Sequence, residues 1–215
     1  MDKGCLFCFP DRFSLNKDLH LPAQESILWE DENIYVVPDL FPLVVGHMLV
    51  ISKNHYNSFA NAPISTINCV KSALQYLLNH VFCGQNVAIF EHGSITENSA
   101  GASISHAHLH VVPINFDLKE EINKSPLITC PPQSWALDDL HVLSIKRQPY
   151  IFFQSNFESS IIYKVDNLPS QFLRKIIADK LGNRYDWKKG MGGQVFIKRF
   201  LETIKKYGEY YETVN

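Results

Sequence analysis

The hydrophobic positions of this chain follow two periods. Short runs rich in apolar and β-branched residues predict strands at Ser26–Glu30 and Asn33–Pro38, around the turn residues Asp31-Glu32, and at His47–Ser52. Over Ala62–Phe82 the period becomes helical. Ile64, Ile67, Val70, Leu74, Leu77, Leu78 and Val81 recur at that spacing, and Pro63 sits near the start, which predicts one long helix. Asn86–Glu91 predicts another strand and His92–Ser103 a polar loop containing glycine. A last strand follows over 106–112 and ends at Pro113.

Beyond 114 the pattern is broken by a predicted loop, 115–139, that contains Cys130-Pro131-Pro132. Strands are predicted at His141–Lys146, Tyr150–Gln154 and Ser160–Val165, and helices at Pro169–Leu181 and Gly193–Tyr207. The expected class is α+β. A module at 1–114 would hold a mostly antiparallel sheet with one long helix, and an α/β extension at 115–215 would pack on it.

Composition changes this picture little. Apolar content of 46% and charged content of 20% are those of an ordinary globular protein. No apolar run is long enough to span a bilayer, so no membrane partner is expected. The first residues lack the basic start and apolar run of a signal peptide. Five cysteines, an odd number, do not form a secreted disulfide framework, so a reducing, cytoplasmic location is expected. Charge changes it more. Residues 168–215 carry ten Lys and Arg against five Asp and Glu, within a chain of net charge −2. That basic segment could help to hold a phosphorylated substrate, or it could simply be a solvated helix face.

The densest chemistry is at 106–112, His-Ala-His-Leu-His-Val-Val. On a strand, His106, His108 and His110 share one face, and Ala107, Leu109 and Val111 point into a core. A neutral imidazole is a competent nucleophile toward phosphorus, and a neighbouring one can donate to a phosphate oxygen. Ser103 and the N–H groups of Gly101–Ser103 could cradle that phosphate. Cys5-Leu6-Phe7-Cys8 alone could be a redox pair, half a zinc site or two core cysteines. If the strands ending near His55 and starting near His106 are neighbours, Cys5, Cys8, His55 and His106 could close a tetrahedral, structural zinc site.

Together these residues resemble the histidine-triad (HIT) superfamily. The resemblance rests on Ala100-Gly101-Ala102-Ser103-Ile104-Ser105 leading into the histidine run. It also rests on Asp39-Leu40-Phe41-Pro42, on Gly46–His55 and on the Cys5–Cys8 start, all in the family's order over roughly residues 4–114. It implies His108 as the nucleophile that becomes nucleotidylated at the α-phosphorus, and His110 as a phosphate contact. It implies Asp39 on the ribose hydroxyls, Ser103 on phosphate, and Zn2+ held by Cys5, Cys8, His55 and His106. The implied activity is a nucleotide hydrolase acting on phosphoramidates, dinucleoside polyphosphates or similar substrates. A nucleotidyltransferase or phosphorylase is the alternative.

The chain also departs from the pattern. The family often has glutamine before the serine, where this chain has Ala102, and the loop reads Thr96-Glu97-Asn98-Ser99 in place of the usual asparagine-glycine pair. Phe90-Glu91-His92-Gly93, Leu168–Arg174 and Asp186-Trp187-Lys188 are similar to CwfJ-type HIT-like proteins. That likeness implies an extension that completes the cleft, with Gln171 and Arg174 on one helix face and Arg174 toward the phosphates. It also raises an RNA-associated binding module as a rival. A nucleic-acid partner is not favoured, because docking does not require His108. Small family members pair as homodimers, although the extension could occupy that surface. His47 reads as a plain strand residue.

Overall fold

The computed structural model describes residues 5–8, 26–96, 99–182 and 193–208. The Asp186-Trp187-Lys188 phrase lies outside the described residues. Eight strands form one sheet in the order β1-β2-β3-β5-β4-β7-β8-β6, and every neighbouring pair is antiparallel. They are β1 (Trp29–Glu30), β2 (Ile34–Pro38), β3 (Met48–Ser52), β4 (Val87–Gly93), β5 (His108–Pro113), β6 (Gln133–Ser134), β7 (Tyr150–Ser155) and β8 (Ile161–Lys164). β7 pairs along all of its length with β4, from Ala88↔Ser155 to Gly93↔Tyr150. The sheet therefore runs without a break from the segment before residue 114 into the segment after it.

One face is covered by α1 (Ile64–Tyr76), which continues as a π turn over Leu77–Val81. That turn closes with Phe82 N–H on the Leu77 carbonyl at 2.8 Å and keeps Leu77, Leu78 and Val81 all inward. Of the periodic apolar positions only Ile64, the first helical residue, is exposed. Ile34, Val36, Met48, Val50, Leu109 and Val111 meet this helix layer in one core cluster.

The opposite face is covered in two patches. α2 (Leu118–Asn123) and α4 (Phe172–Lys180) pack on Ala88, Phe90, Val112, Ile151 and Phe153. Phe7 packs on Tyr35, Val37, Leu49 and Ile51. Between the two patches the sheet carries polar side chains. His108 and His110 emerge there, because β5 lies between β3 and β4.

Two expected elements differ. His141–Lys146 forms no strand; His141–Ile145 is a short helix, α3, with Leu143 buried and Ile145 exposed. Alternation over so few residues fits both periods, and here Leu140 and Leu143, three apart, face the core together. The 115–139 segment is also more ordered than a loop. Asp117 caps α2 by accepting Glu120 N–H at 3.1 Å, and β6 pairs with β8. The last helix, α5 (Gln194–Tyr207), lies over the 39–46 turn. Thr203 accepts Gly46 N–H at 2.8 Å, and Arg199 donates to the Pro42 carbonyl at 3.2 Å. Among the described residues no helix is long and apolar enough to cross a membrane.

Candidate functional site

The site is built on β5. Leu109 and Val111 enter the α1-side core, so His108 and His110 take the other face. His106 precedes the assigned strand, yet the alternation holds, because both backbone groups of Ala107 continue the pairing with the end of β3 and the segment after it. Its N–H reaches the Tyr56 carbonyl at 2.7 Å and its carbonyl accepts Ser52 N–H at 3.1 Å. All three histidines are buried.

Each ring nitrogen has an assignable role. Nδ1 of His108 lies 2.6 Å from the His106 carbonyl, which can only accept, so Nδ1 carries the hydrogen. The Nε2 lone pair of a neutral His108 is thereby left for attack. Burial is the main cause of a His108 pKa below the ordinary imidazole value, so this neutral form prevails at neutral pH. The same logic links two further rings. Leu43 N–H donates to His47 Nδ1 at 3.2 Å, so His47 Nε2 carries a hydrogen, and it faces His110 Nδ1 at 3.0 Å. His110 then holds its own hydrogen on Nε2 and presents a donor. Burial holds His47 at about 3 and His110 well below the usual range, so both remain neutral.

Asp39 ends the β2 edge of the site, where its N–H bonds to the His47 carbonyl at 2.9 Å. Its Oδ1 accepts Phe41 N–H at 2.7 Å. Its Oδ2 accepts from Arg174 Nη1 and lies 3.4 Å from His47 Nε2 and 3.6 Å from His110 Nδ1. Burial alone would raise the Asp39 pKa, but the Arg174 charge, His47 and the Phe41 N–H together bring it down to about 2. Arg174 Nη2 also donates to the Phe41 carbonyl at 2.6 Å.

These groups open onto one cleft. Leu6, Phe7, Leu40, Phe41, Leu49 and Ile104 give it apolar walls, and the polar groups are His108, His110, His92, Ser103, Gln171, Arg174 and Asp39. Such walls suit a flat, apolar-faced ring beside a phosphate. Ser103 Oγ accepts from Gln171 Nε2 at 2.5 Å and is 2.6 Å from Ser170 Oγ. The sequence-derived His108, His110, Asp39, Ser103 and Arg174 thus share one cleft. Arg174 is only 4% exposed and is paired inside it.

Cys5, Cys8, His55 and His106 form a second cluster behind His108, with their ligand atoms within 4.8 Å of one another. Cys5 Sγ and His106 Nδ1 are 3.3 Å apart, Cys8 Sγ and His55 Nδ1 3.4 Å, and Cys8 Sγ and His106 Nδ1 3.8 Å. Ligands at Zn–S of about 2.3 Å and Zn–N of about 2.0 Å would be separated by similar tetrahedral edges. His106 Nε2 bonds to the Ser52 carbonyl at 2.7 Å, which leaves Nδ1 as its ligand atom. The donor set and spacing fit zinc.

The sequence reads His47 as a plain strand residue, and it marks His92 and Gln171 within the CwfJ-type resemblance but not their partners. His47, fully buried just before β3, is signalled only by being polar where the residues after it are apolar. His92 accepts Leu173 N–H at 3.4 Å and lines the cleft. Gln171 and its neighbour Ser170 reach Ser103 across 67–68 positions of sequence, a pairing without local signal.

The chain is similar to known proteins over part of its length. Residues 21–117 match the HIT domain family. An uncharacterized HIT-like protein of Methanocaldococcus jannaschii is 28% identical over 113 residues, 51% of this chain and 78% of that one. An adenylylsulfatase of Arabidopsis thaliana is 29% identical over 86 residues, 40% of this chain and 44% of that one. Among solved structures, a Zn-bound histidine triad family protein from Mycobacterium smegmatis is similar at 24% identity and a TM-score of 0.39, covering 66% of this chain and 92% of that one.

Proposed function

Because the chain belongs to the HIT superfamily through its domain at residues 21–117, we propose that it is a nucleotide hydrolase cleaving at the α-phosphorus through a covalent His108 intermediate. The observation that carries this reading is the 2.6 Å contact of His108 Nδ1 with the His106 carbonyl, which fixes the nucleophilic tautomer.

In the first half-reaction a bond forms between His108 Nε2 and the α-phosphorus. The bond from phosphorus to the leaving atom breaks, and the leaving group departs with the electron pair. The His106 carbonyl stabilises the positive charge that develops on the His108 ring. His110 Nε2–H donates to a non-bridging phosphate oxygen, held in that orientation by His47. In the second half-reaction water attacks phosphorus, the N–P bond breaks, and the nucleoside monophosphate leaves as a water proton passes to solvent. In this reading the apolar walls hold the base, and Arg174 and Ser103, which line the same cleft, serve the phosphate.

Cys5, Cys8, His55 and His106 would hold the zinc. Bound there, it would supply structural cross-linking: four protein ligands leave no position for water, and the N-terminal segment is tied to the residue preceding the catalytic strand. The substrates within this reading are nucleoside phosphoramidates, adenylyl sulfate and dinucleoside polyphosphates. The test is release of AMP from adenosine 5′-phosphoramidate, adenylyl sulfate and diadenosine polyphosphates, with and without added phosphate. His108→Gly should abolish release while AMP still binds, since loss of a covalent nucleophile removes several orders of magnitude of rate. Near-normal turnover by that variant would overturn the mechanism. Products carrying the added phosphate would identify a phosphorylase.

A further inference from the structure

We propose that Gln171 is a positioning residue for the departing group: its carboxamide fixes the Ser103 hydroxyl so that the Ser103 hydrogen is directed at the leaving atom of the bound nucleotide. The inference rests on the reaction proposed above.

Neither backbone conformation nor helix capping explains a glutamine at this position. Gln171 has φ 64° and ψ 28°, in the left-handed region that a β-carbon disfavours. It is the residue before α4, where Ser, Thr, Asp or Asn would cap the helix, and it makes no side-chain cap bond. Strain of this kind persists where the surroundings enforce it, and it collects at functional sites.

The surroundings do enforce it. Gln171 N–H donates to the Gly101 carbonyl at 3.0 Å. Gly101 itself has φ 73°, and a β-carbon there would lie 2.7 Å from the Pro169 carbonyl oxygen. The Pro169–Gln171 turn is therefore keyed closely onto the Gly101–Ser103 loop. Seated this way, the Gln171 side chain places Nε2 2.5 Å from Ser103 Oγ, inside the cleft that His108 and His110 share.

The hydroxyl of Ser103 has two acceptor sites and one hydrogen. Gln171 N–H fills one acceptor site. Ser170 Oγ, 2.6 Å away and on an exposed residue, can donate to the other by rotating its own hydroxyl. With Ser170 as the donor of that pair, both acceptor sites are filled from the C-terminal segment, and the Ser103 hydrogen is directed away from it and into the cleft. As the bond from His108 Nε2 to phosphorus forms and the bond to the leaving atom breaks, that atom gains the electron pair. It accepts a hydrogen bond from Ser103. No proton is transferred from Ser103, and a basic leaving group takes its proton from water. The sequence has Ala102 directly before the serine, so no local side-chain amide stands there, and Gln171 delivers one from the C-terminal segment.

The test compares the p-nitrophenyl and phenyl esters of AMP, which differ in leaving-group basicity, in the full-length zinc-loaded protein. Gln171→Ala should lower kcat on the phenyl ester by about tenfold or more, and on the p-nitrophenyl ester by less than about threefold. Gln171→Glu keeps size and shape but can only accept, so it draws the Ser103 hydrogen toward itself. It should show the same leaving-group-dependent loss at an unchanged melting temperature. Because Gln171 acts through Ser103, the Ser103→Ala, Gln171→Ala double variant should be no slower than Ser103→Ala alone. A Gln171→Glu variant as active as the wild type, equal losses on both esters, or additive losses in the double variant would overturn the role. A wild type inactive on every nucleotide substrate would overturn the hydrolase reading itself. An active wild type with an insensitive Gln171 would overturn only this inference.

Discussion

Arg174 donates through Nη1 to the carboxylate of Asp39, an ion pair between residues 135 apart in sequence with both side chains almost fully buried. It ties α4, from the C-terminal segment, to the turn that follows β2, and Arg174 Nη2 extends the tie to the Phe41 carbonyl. The fork of a guanidinium is suited to holding both acceptors at once, and a lysine ammonium is not. Arg174→Lys is therefore expected to lower kcat/KM by about 10- to 100-fold, equivalent to about 1–3 kcal/mol. Steady-state kinetics decides it. An unchanged kcat/KM would leave Arg174 with a structural role only. Arg174→Ala strands a buried carboxylate and should cost about 3–5 kcal/mol in stability, read from denaturant unfolding.

The histidine cleft predicts a particular pH profile. The reaction requires His108 neutral, and burial keeps its pKa below the ordinary 6.5. His47, at about 3, and His110, well below the usual range, also remain neutral through mild acid. The acid limb of kcat/KM should therefore fall below pH 6.5. Replacing His47 by Phe removes the group that orients His110 and keeps an aromatic ring in the buried space. Expected is a kcat loss of about 10- to 100-fold, below the roughly 100- to 1,000-fold of one lost transition-state donor, because His110 itself remains. An acid limb centred at or above 6.5 would contradict the assignment of neutral, buried imidazoles.

The cysteine-histidine cluster predicts one zinc per chain. A Cys5→Ser, Cys8→Ser variant should lose the metal and melt at lower temperature, because metal binding contributes directly to the stability of the fold that assembles the site. Elemental analysis with a thermal melt checks both together. Stoichiometric zinc retained by the double variant would refute the ligand set.

The parts of this molecule that could be read from sequence are those written in local period. The α1 helix and the one-faced histidine strand follow from spacing over neighbouring residues, and their cores form as that spacing requires. The rest depends on contacts made across the sheet. His47 reads as an ordinary strand residue. Its contact with His110, 63 residues away, arises because β3 pairs with β5, with Leu49 opposite His110. Gln171 reads as one position on a helix face, but it stands just outside α4 in a left-handed conformation that only the Gly101 docking explains. His141–Ile145 shows the converse failure. Its short alternation suited a strand until the core contacts of Leu140 and Leu143 selected a helix.

Glu91 gives a prediction that is independent of catalysis. Its carboxylate is buried on β4, where it accepts Tyr150 O–H at 2.5 Å and Phe59 N–H at 2.8 Å. Burial raises its pKa from 4.5 to about 7, against the opposing pull of those two donors. Below pH 4.5 both the folded and unfolded chains hold this proton, and its contribution is fully present. Between 4.5 and about 7 the unfolded chain has lost the proton and the folded chain still keeps it, so stability falls as pH rises across this window. Deprotonating Glu91 should thus remove about 3 kcal/mol in all by pH 8, from the shift of 4.5 to about 7. Glu91→Gln keeps the size and an acceptor for Phe59 N–H but has no charge to bury. Urea unfolding of both proteins between pH 5 and 8 should show the wild type losing stability relative to Glu91→Gln as pH rises. A constant difference across that range would mean that Glu91 is ionised in the fold throughout and would remove the link between its burial and pH.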